Sequence, residues 1–250
     1  MARELRDILS KRYAVLQSLA KAPKTKPALD DDLECSRSTI DRAVSDLLEA
    51  GCIEPTEVGG RTFRLTSAGK VGLDIESTYR DSSEQLDEYN GLLNSIPSDA
   101  PVSEALVSGA EIHYSPRTPD IAFRPGTELL SDANRMRGTA TVVRREYFEI
   151  LRKRLESGEF ELELIMESEL LDAIKSNYKQ ELADIREMDT VDVYITQESL
   201  PYALWIIDQS DSSTAGVTVH EEGGVKGTIV NESMPAVTWA KSQYTEYREG

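Results

Sequence analysis

Cys35-Ser36-Arg37-Ser38-Thr39-Ile40-Asp41-Arg42-Ala43-Val44-Ser45-Asp46-Leu47-Leu48-Glu49-Ala50-Gly51 is the stretch on which the reading of the whole chain turns. Ser36 is a favourable N-cap, because its side chain can accept from an unpaired backbone N–H of the first turn, and Gly51 is a favourable stop. Between them Ile40, Val44, Leu47 and Leu48 recur at helical spacing and line one face. The other face carries Arg37, Ser38, Asp41, Arg42 and Ser45, with Ser36 and Thr39 at its start. A helix face rich in Arg, Ser and Thr, placed just after a tight turn, supplies donors for guanine edges and phosphates.

Upstream, Leu5, Ile8, Leu9, Tyr13, Leu16 and Leu19 predict an amphipathic first helix over 4–20. Pro27 opens a short helix over 27–33, where its missing N–H costs nothing, and Glu34-Cys35-Ser36 forms the turn. Downstream, Ile53–Val58 and Arg61–Leu65 are extended runs around Gly59-Gly60, a two-residue hairpin signal. Arg61 and Arg64 flank its tip, within reach of phosphates or the minor groove. Leu65-Thr66-Ser67-Ala68-Gly69 starts the next helix. Residues 35–53 resemble the recognition helix of archaeal winged helix-turn-helix regulators, and the hairpin with Leu65–Gly69 is similar to the segment after that helix in the same regulators. The resemblance covers about the first third of the chain and implies double-stranded DNA as a partner.

Charge is distributed to match. The chain has 28 Lys+Arg against 45 Asp+Glu, a net −17, yet residues 1–80 hold 13 of each. The remaining 15 basic and 32 acidic residues carry the whole excess. A segment kept free of excess acid suits a polyanionic partner. Arg (18) outnumbers Lys (10), and with the acidic balance this resembles proteins of salt-in halophiles, where base and shape contacts would outweigh screened phosphate contacts. No apolar run is long enough to span a bilayer and the first residues lack a secretion signal, so a cytoplasmic location with no membrane partner is expected.

Ile75, Tyr79, Leu86, Tyr89, Leu93 and Ile96 form a sparse stripe, which predicts a linker or dimerisation helix over 71–100 and a homodimer. Ser95–Pro101 closes it. From 101 onward, extended runs at 109–114, 138–143, 160–166, 191–195, 203–208, 214–219 and 226–230 alternate with helical stretches at 128–135, 144–156, 168–187 and 233–248. The fold class expected is therefore an α+β winged helix-turn-helix (1–70) followed by an α/β mixed-sheet sensor domain (101–250). Phe160–Met166 after a basic helix, Val191–Ile195, Leu200–Asp208 and Glu232–Ala240 resemble the sensor domain of an archaeal regulator family known from a methanogen protein controlling filamentation and methanogenesis. They are also similar to the phospholipase-D-like sensor domain of the TrmB sugar-responsive regulators.

Phospholipase D chemistry needs His with Lys two residues on, twice. His113 is followed by Tyr114-Ser115 and His220 by Glu221-Glu222, so neither motif exists. With no phosphate loop, nucleophile elbow or metal-spaced cluster, no catalytic residue, cofactor or metal is expected. Tyr114, Arg117, Arg124 and Trp205 are the candidate lining of a pocket for a small-molecule effector near the sheet edge, the two arginines in a Pro-rich loop. The function read is a ligand- or signal-responsive transcription regulator. The alternative is a protein–protein adaptor that uses a winged helix and an acidic C-terminal domain. Cys35 and Cys52 bracket a helix of about 20 Å, too long for a disulfide between them.

Overall fold

A computed structural model describes residues 2–56, 62–115, 119–186, 188–221 and 224–249. They form two compact units, 1–83 and 84–250.

In the first unit α1 (Ala2–Lys11) and α2 (Tyr13–Lys21) lead to β1 (Lys24–Thr25), α3 (Lys26–Leu33), α4 (Arg37–Glu49), β2 (Ile53–Thr56), β3 (Thr62–Leu65) and α5 (Ser67–Leu93). The three strands make one antiparallel sheet in the order β1-β3-β2, with Ile53 opposite Leu65 and Glu54 opposite Arg64. Leu16, Leu19, Leu29, Ile40, Val44, Leu47, Ile53 and Phe63 close a common core. Ala43 joins the buried face of α4, whereas Leu48, expected there, is exposed because the inward arc is narrower than the spacing suggested. The helix expected over 4–20 is two helices. It breaks at Arg12, whose Nε and Nη2 both donate to Asp46 Oδ2 at 3.0 and 2.8 Å. Thr25 Oγ1 caps α3, with Pro27 in its first turn. The hairpin tip at 57–61, including Gly59-Gly60, lies outside the described residues.

The boundary between the units falls within α5. Of the stripe predicted along 71–100, Ile75, Tyr79 and Leu86 are exposed, while Tyr89 and Ile96, with Leu92, enter the core of the second unit. That helix ends at Leu93.

The second unit continues with α6 (Glu104–Val107), β4 (Glu111–Tyr114), α7 (Pro119–Leu130), β5 (Arg135–Ala140), α8 (Arg145–Leu155), β6 (Glu161–Glu167), α9 (Ser168–Asn177), α10 (Lys179–Arg186), β7 (Val191–Thr196), β8 (Ala203–Asp208), β9 (Ser213–Glu221), β10 (Gly224–Asn231) and α11 (Met234–Glu249). Its mixed seven-stranded sheet runs β4-β10-β9-β8-β5-β6-β7. β5, β6 and β7 are parallel, joined by helical crossovers; β8, β9, β10 and β4 pair antiparallel. Strand alternation splits the core. Leu204, Ile206, Val217 and Ile165 face α11, while Trp205, Ile207, Leu162 and Met166 face the helices of the other side.

Two expectations shift here. The helix placed at 128–135 lies at Pro119–Leu130, in the stretch read as a Pro-rich loop: Pro119 sits at the helix start, where no N–H is needed, and Pro125 is accommodated inside the helix. The single helix expected over 168–187 breaks at Tyr178, whose ring packs at 5.4 Å from that of Phe148. No helix among the described residues is long and apolar enough to cross a membrane.

Candidate functional site

The outer face of α4 is built by its cap and its core face together. Ser36 Oγ accepts from Thr39 N at 3.3 Å and lies 2.8 Å from Thr39 Oγ1 and 3.0 Å from Ser38 Oγ. Glu34, in the left-handed region at φ 49°, turns the chain from α3 into this cap. With Ile40, Ala43, Val44 and Leu47 anchored, Arg37, Ser38, Thr39, Asp41, Arg42 and Ser45 stand in solvent together.

Acidic partners temper this face. Arg37, its side chain 92% exposed, has Nε 3.7 Å from Asp30 Oδ2. Lys26 Nζ lies 2.6 Å from Asp41 Oδ1, so Asp41 presents a neutralised pair rather than a free carboxylate. On the hairpin, Arg64 Nε donates to its cross-strand partner Glu54 at 2.7 Å. Among the described residues Arg42 has no ion-pair partner. Arg61 lies outside the described residues. Sequence reading found these positions but not their counter-ions, which come from other elements. Both cysteines are free: Cys35 is half-buried, and Cys52 is buried, with its thiol pushed up by desolvation.

The second unit contains an apolar cavity of about 140 Å³ between its sheet and the helices α7, α8, α9 and α10. Of the four residues expected to line a pocket, Trp205 alone among the described residues does so. Tyr114 lies on the edge strand β4 and donates through its hydroxyl to Glu88 O at 2.8 Å; Arg124 is exposed on α7, not in a loop. Arg117 lies outside the described residues. The cavity sits against the middle of the sheet because Trp205 alternates with Leu204 and Ile206 and so faces the opposite side.

Around the cavity the polar atoms are largely engaged. Trp205 Nε1 donates to Thr218 Oγ1 at 3.3 Å, which lies 3.0 Å from Thr228 Oγ1. Thr139 Oγ1 accepts from Leu204 N at 2.8 Å and donates to Tyr202 O at 3.1 Å. His220 also lines the cavity. Its Nδ1 lies 3.1 Å from Thr141 Oγ1, its Nε2 is buried without a partner, and burial depresses its pKa, which keeps the ring neutral. A shallower depression walled by Thr141, Arg145, Ala173 and Tyr178 shares Val142, Val143 and Leu170 with the cavity. On the sheet's other face, buried Glu163 meets Arg135 and Tyr244. His113 lies 3.7 Å from Glu111.

Residues 121–250 match the family described as methanogenesis regulatory protein FilR1, middle domain, and residues 6–87 match the HVO_A0261 N-terminal domain. No curated protein sequence matches this chain. Among solved structures, TrmBL2, an archaeal chromatin protein with a novel mode of DNA binding, is 11% identical across 100% of this chain and 99% of its own, at a TM-score of 0.44. NucT from Helicobacter pylori is 13% identical over 56% of this chain and 95% of its own, at 0.45. The adhesin competence repressor AdcR from Streptococcus pyogenes is 23% identical over 35% of this chain and 66% of its own, at 0.26.

Proposed function

We propose, from a chain that belongs to the family of the methanogenesis regulatory protein FilR1 through its middle domain, that the protein is a sequence-specific DNA-binding transcription regulator. The observation that carries the reading is the outer face of α4, where Arg37, Ser38, Arg42 and Ser45 stand exposed on a capped, firmly anchored helix. Such a helix enters a major groove with its N-terminal residues toward the bases, and Arg37 is placed to reach a guanine edge. Arg64, on β3, would contact the DNA backbone, as would Arg61 by its sequence position beside the hairpin tip.

In this reading residues 1–70 bind DNA, 71–100 dimerise, and 101–250 form a sensor, phospholipase-D-like without the catalytic motifs, in a cytoplasmic protein of haloarchaeal type. Val71, Ile75 and Tyr79, exposed at one-turn intervals along α5, support a homodimer. A small-molecule effector in the second unit would favour one of two dimer arrangements and so change operator affinity.

Fluorescence anisotropy of the full chain with duplex DNA from its own promoter region tests the reading. Binding should weaken with rising salt only as far as phosphates are contacted, each contact releasing counterions. Preference for the operator over unrelated duplex should persist at high salt, where base and shape contacts carry it. Absence of binding at low salt, together with capture of a basic protein partner, would favour the adaptor reading instead.

A further inference from the structure

The cavity of the second unit says what chemistry it will accept. None of its described lining residues is Asp, Glu, Lys or Arg. A carboxylate, phosphate or ammonium placed there would lose its hydration with no counter-charge, a cost of several kcal/mol or more. A sugar would strand most of its hydroxyls for the same reason. The volume, about 140 Å³, is near that of an engineered apolar cavity that takes up benzene, about 150 Å³. Trp205, Phe148 and Phe123 offer ring faces and edges, and the fully buried polar atom of the lining without a hydrogen-bond partner is His220 Nε2.

A neutral imidazole has one donor nitrogen and one acceptor nitrogen, assigned by what the other nitrogen does. The partner of Nδ1 is the Thr141 hydroxyl, which can donate or accept. A hydroxyl on the ligand satisfies Nε2 in either tautomer, whereas a carbonyl satisfies it in one only. Thr141 also walls the outer depression, so the same hydrogen-bonded pair has one member on the cavity and the other on that depression.

We propose that this cavity binds a small uncharged ring compound bearing one hydroxyl, of phenol chemistry, with the ring against Trp205 and the hydroxyl on Nε2 of His220. The inference rests on the reading of the second unit as the sensing part and names the class of its effector.

The test uses the full chain, with phenol, benzene and benzoate as probes, read by thermal shift and calorimetry, and DNA anisotropy on the same samples. Phenol should raise the melting temperature and bind about 10-fold more tightly than benzene, the value of one buried hydrogen bond. Benzoate should do neither. His220→Leu should bring phenol down to the level of benzene. Gly126→Leu should block both, since a Cβ there already meets the Trp205 ring at 3.8 Å and a longer side chain would take up the space beside it, and replacing a helical glycine favours folding. No shift with phenol or benzene, benzoate binding as well as phenol, or undiminished phenol binding in Gly126→Leu overturns the proposal. DNA binding without phenol binding fails this inference and leaves the regulator reading standing. Phenol binding without DNA binding keeps the inference and fails the reading of the first unit.

Discussion

Trp205 and Gly216 are partners across β8 and β9, and the indole lies so close over the glycine that a Cβ at position 216 would fall among the atoms of its six-membered ring. The absent side chain is what lets the tryptophan lie flat on the sheet and floor the cavity. Gly216→Ala should force the indole away from the sheet and strain its bond to Thr218. The expected loss is about 1–3 kcal/mol of stability, as for other overpacked cores. Denaturant unfolding, with tryptophan emission as a second readout, checks it; an unchanged midpoint would mean the indole has room to spare.

On α4 and the hairpin, Arg37 and Arg64 should separate by role. Arg37→Ala is expected to lower DNA affinity and flatten preference at one base pair by about 1–3 kcal/mol. Arg64→Ala should weaken all duplexes alike, and only mildly, since Arg64 already spends charge on Glu54. Affinity measured against a panel of single-base variants of the operator distinguishes the two. Arg37→Ala with intact preference would move the reading face elsewhere.

Gly69 has a comparable constraint in the first unit. A Cβ there would overlap the backbone carbonyl of Cys52, the same oxygen that accepts from Thr66 N at 3.0 Å. Backbone cannot yield as a flexible side chain does. Gly69→Ala should therefore destabilise the first unit by about 2 kcal/mol or more, despite the better helix propensity of alanine. Its melting transition is the measurement, and an unchanged one contradicts the packing described.

Acid should unfold the second unit through two carboxylates. Burial by itself would raise Glu163, but the Arg135 guanidinium and the Tyr244 hydroxyl more than reverse it, leaving the pKa lowered. Asp208 behaves likewise, with burial offset by Ser213 and Arg137. A folded pKa below the unfolded one contributes stability that is complete above the ordinary carboxylate range, about 4, and is lost as pH falls through the depressed value. His220 adds to this at higher pH: burial depresses it, so below about 6.5 protonation favours the unfolded chain. Urea midpoints from pH 8 to 3 should fall in two stages. The lower stage should shrink in Glu163→Gln and the upper in His220→Leu; a single stage shared by both variants would contradict the assignment.

Thiol chemistry should be silent. Cys35 Sγ lies 3.3 Å from Leu33 O and Cys52 is buried, on opposite ends of a 13-residue helix. Replacing both by Ser should leave DNA affinity within a few-fold, with or without peroxide. Oxidant-dependent release that vanishes in Cys35→Ser would make the chain a thiol sensor.

What could be read from the chain alone was whatever depends on near neighbours. The cap at Ser36, the inward stripe of Ile40, Val44 and Leu47, the strands on either side of the hairpin and the alternation of β8 all come from residues a few positions apart. Long-range packing decided the rest. It broke the first helix where Arg12 meets Asp46, drew Asp30 and Lys26 onto the α4 face, and fitted Pro125 inside a helix. It also left Trp205, among the described residues, as the one predicted pocket residue beside the cavity. A cavity is the volume that four helices and a sheet fail to fill, a difference between large packed volumes. No periodicity along the chain records such a difference, because each wall is contributed by residues that meet only after the fold has closed.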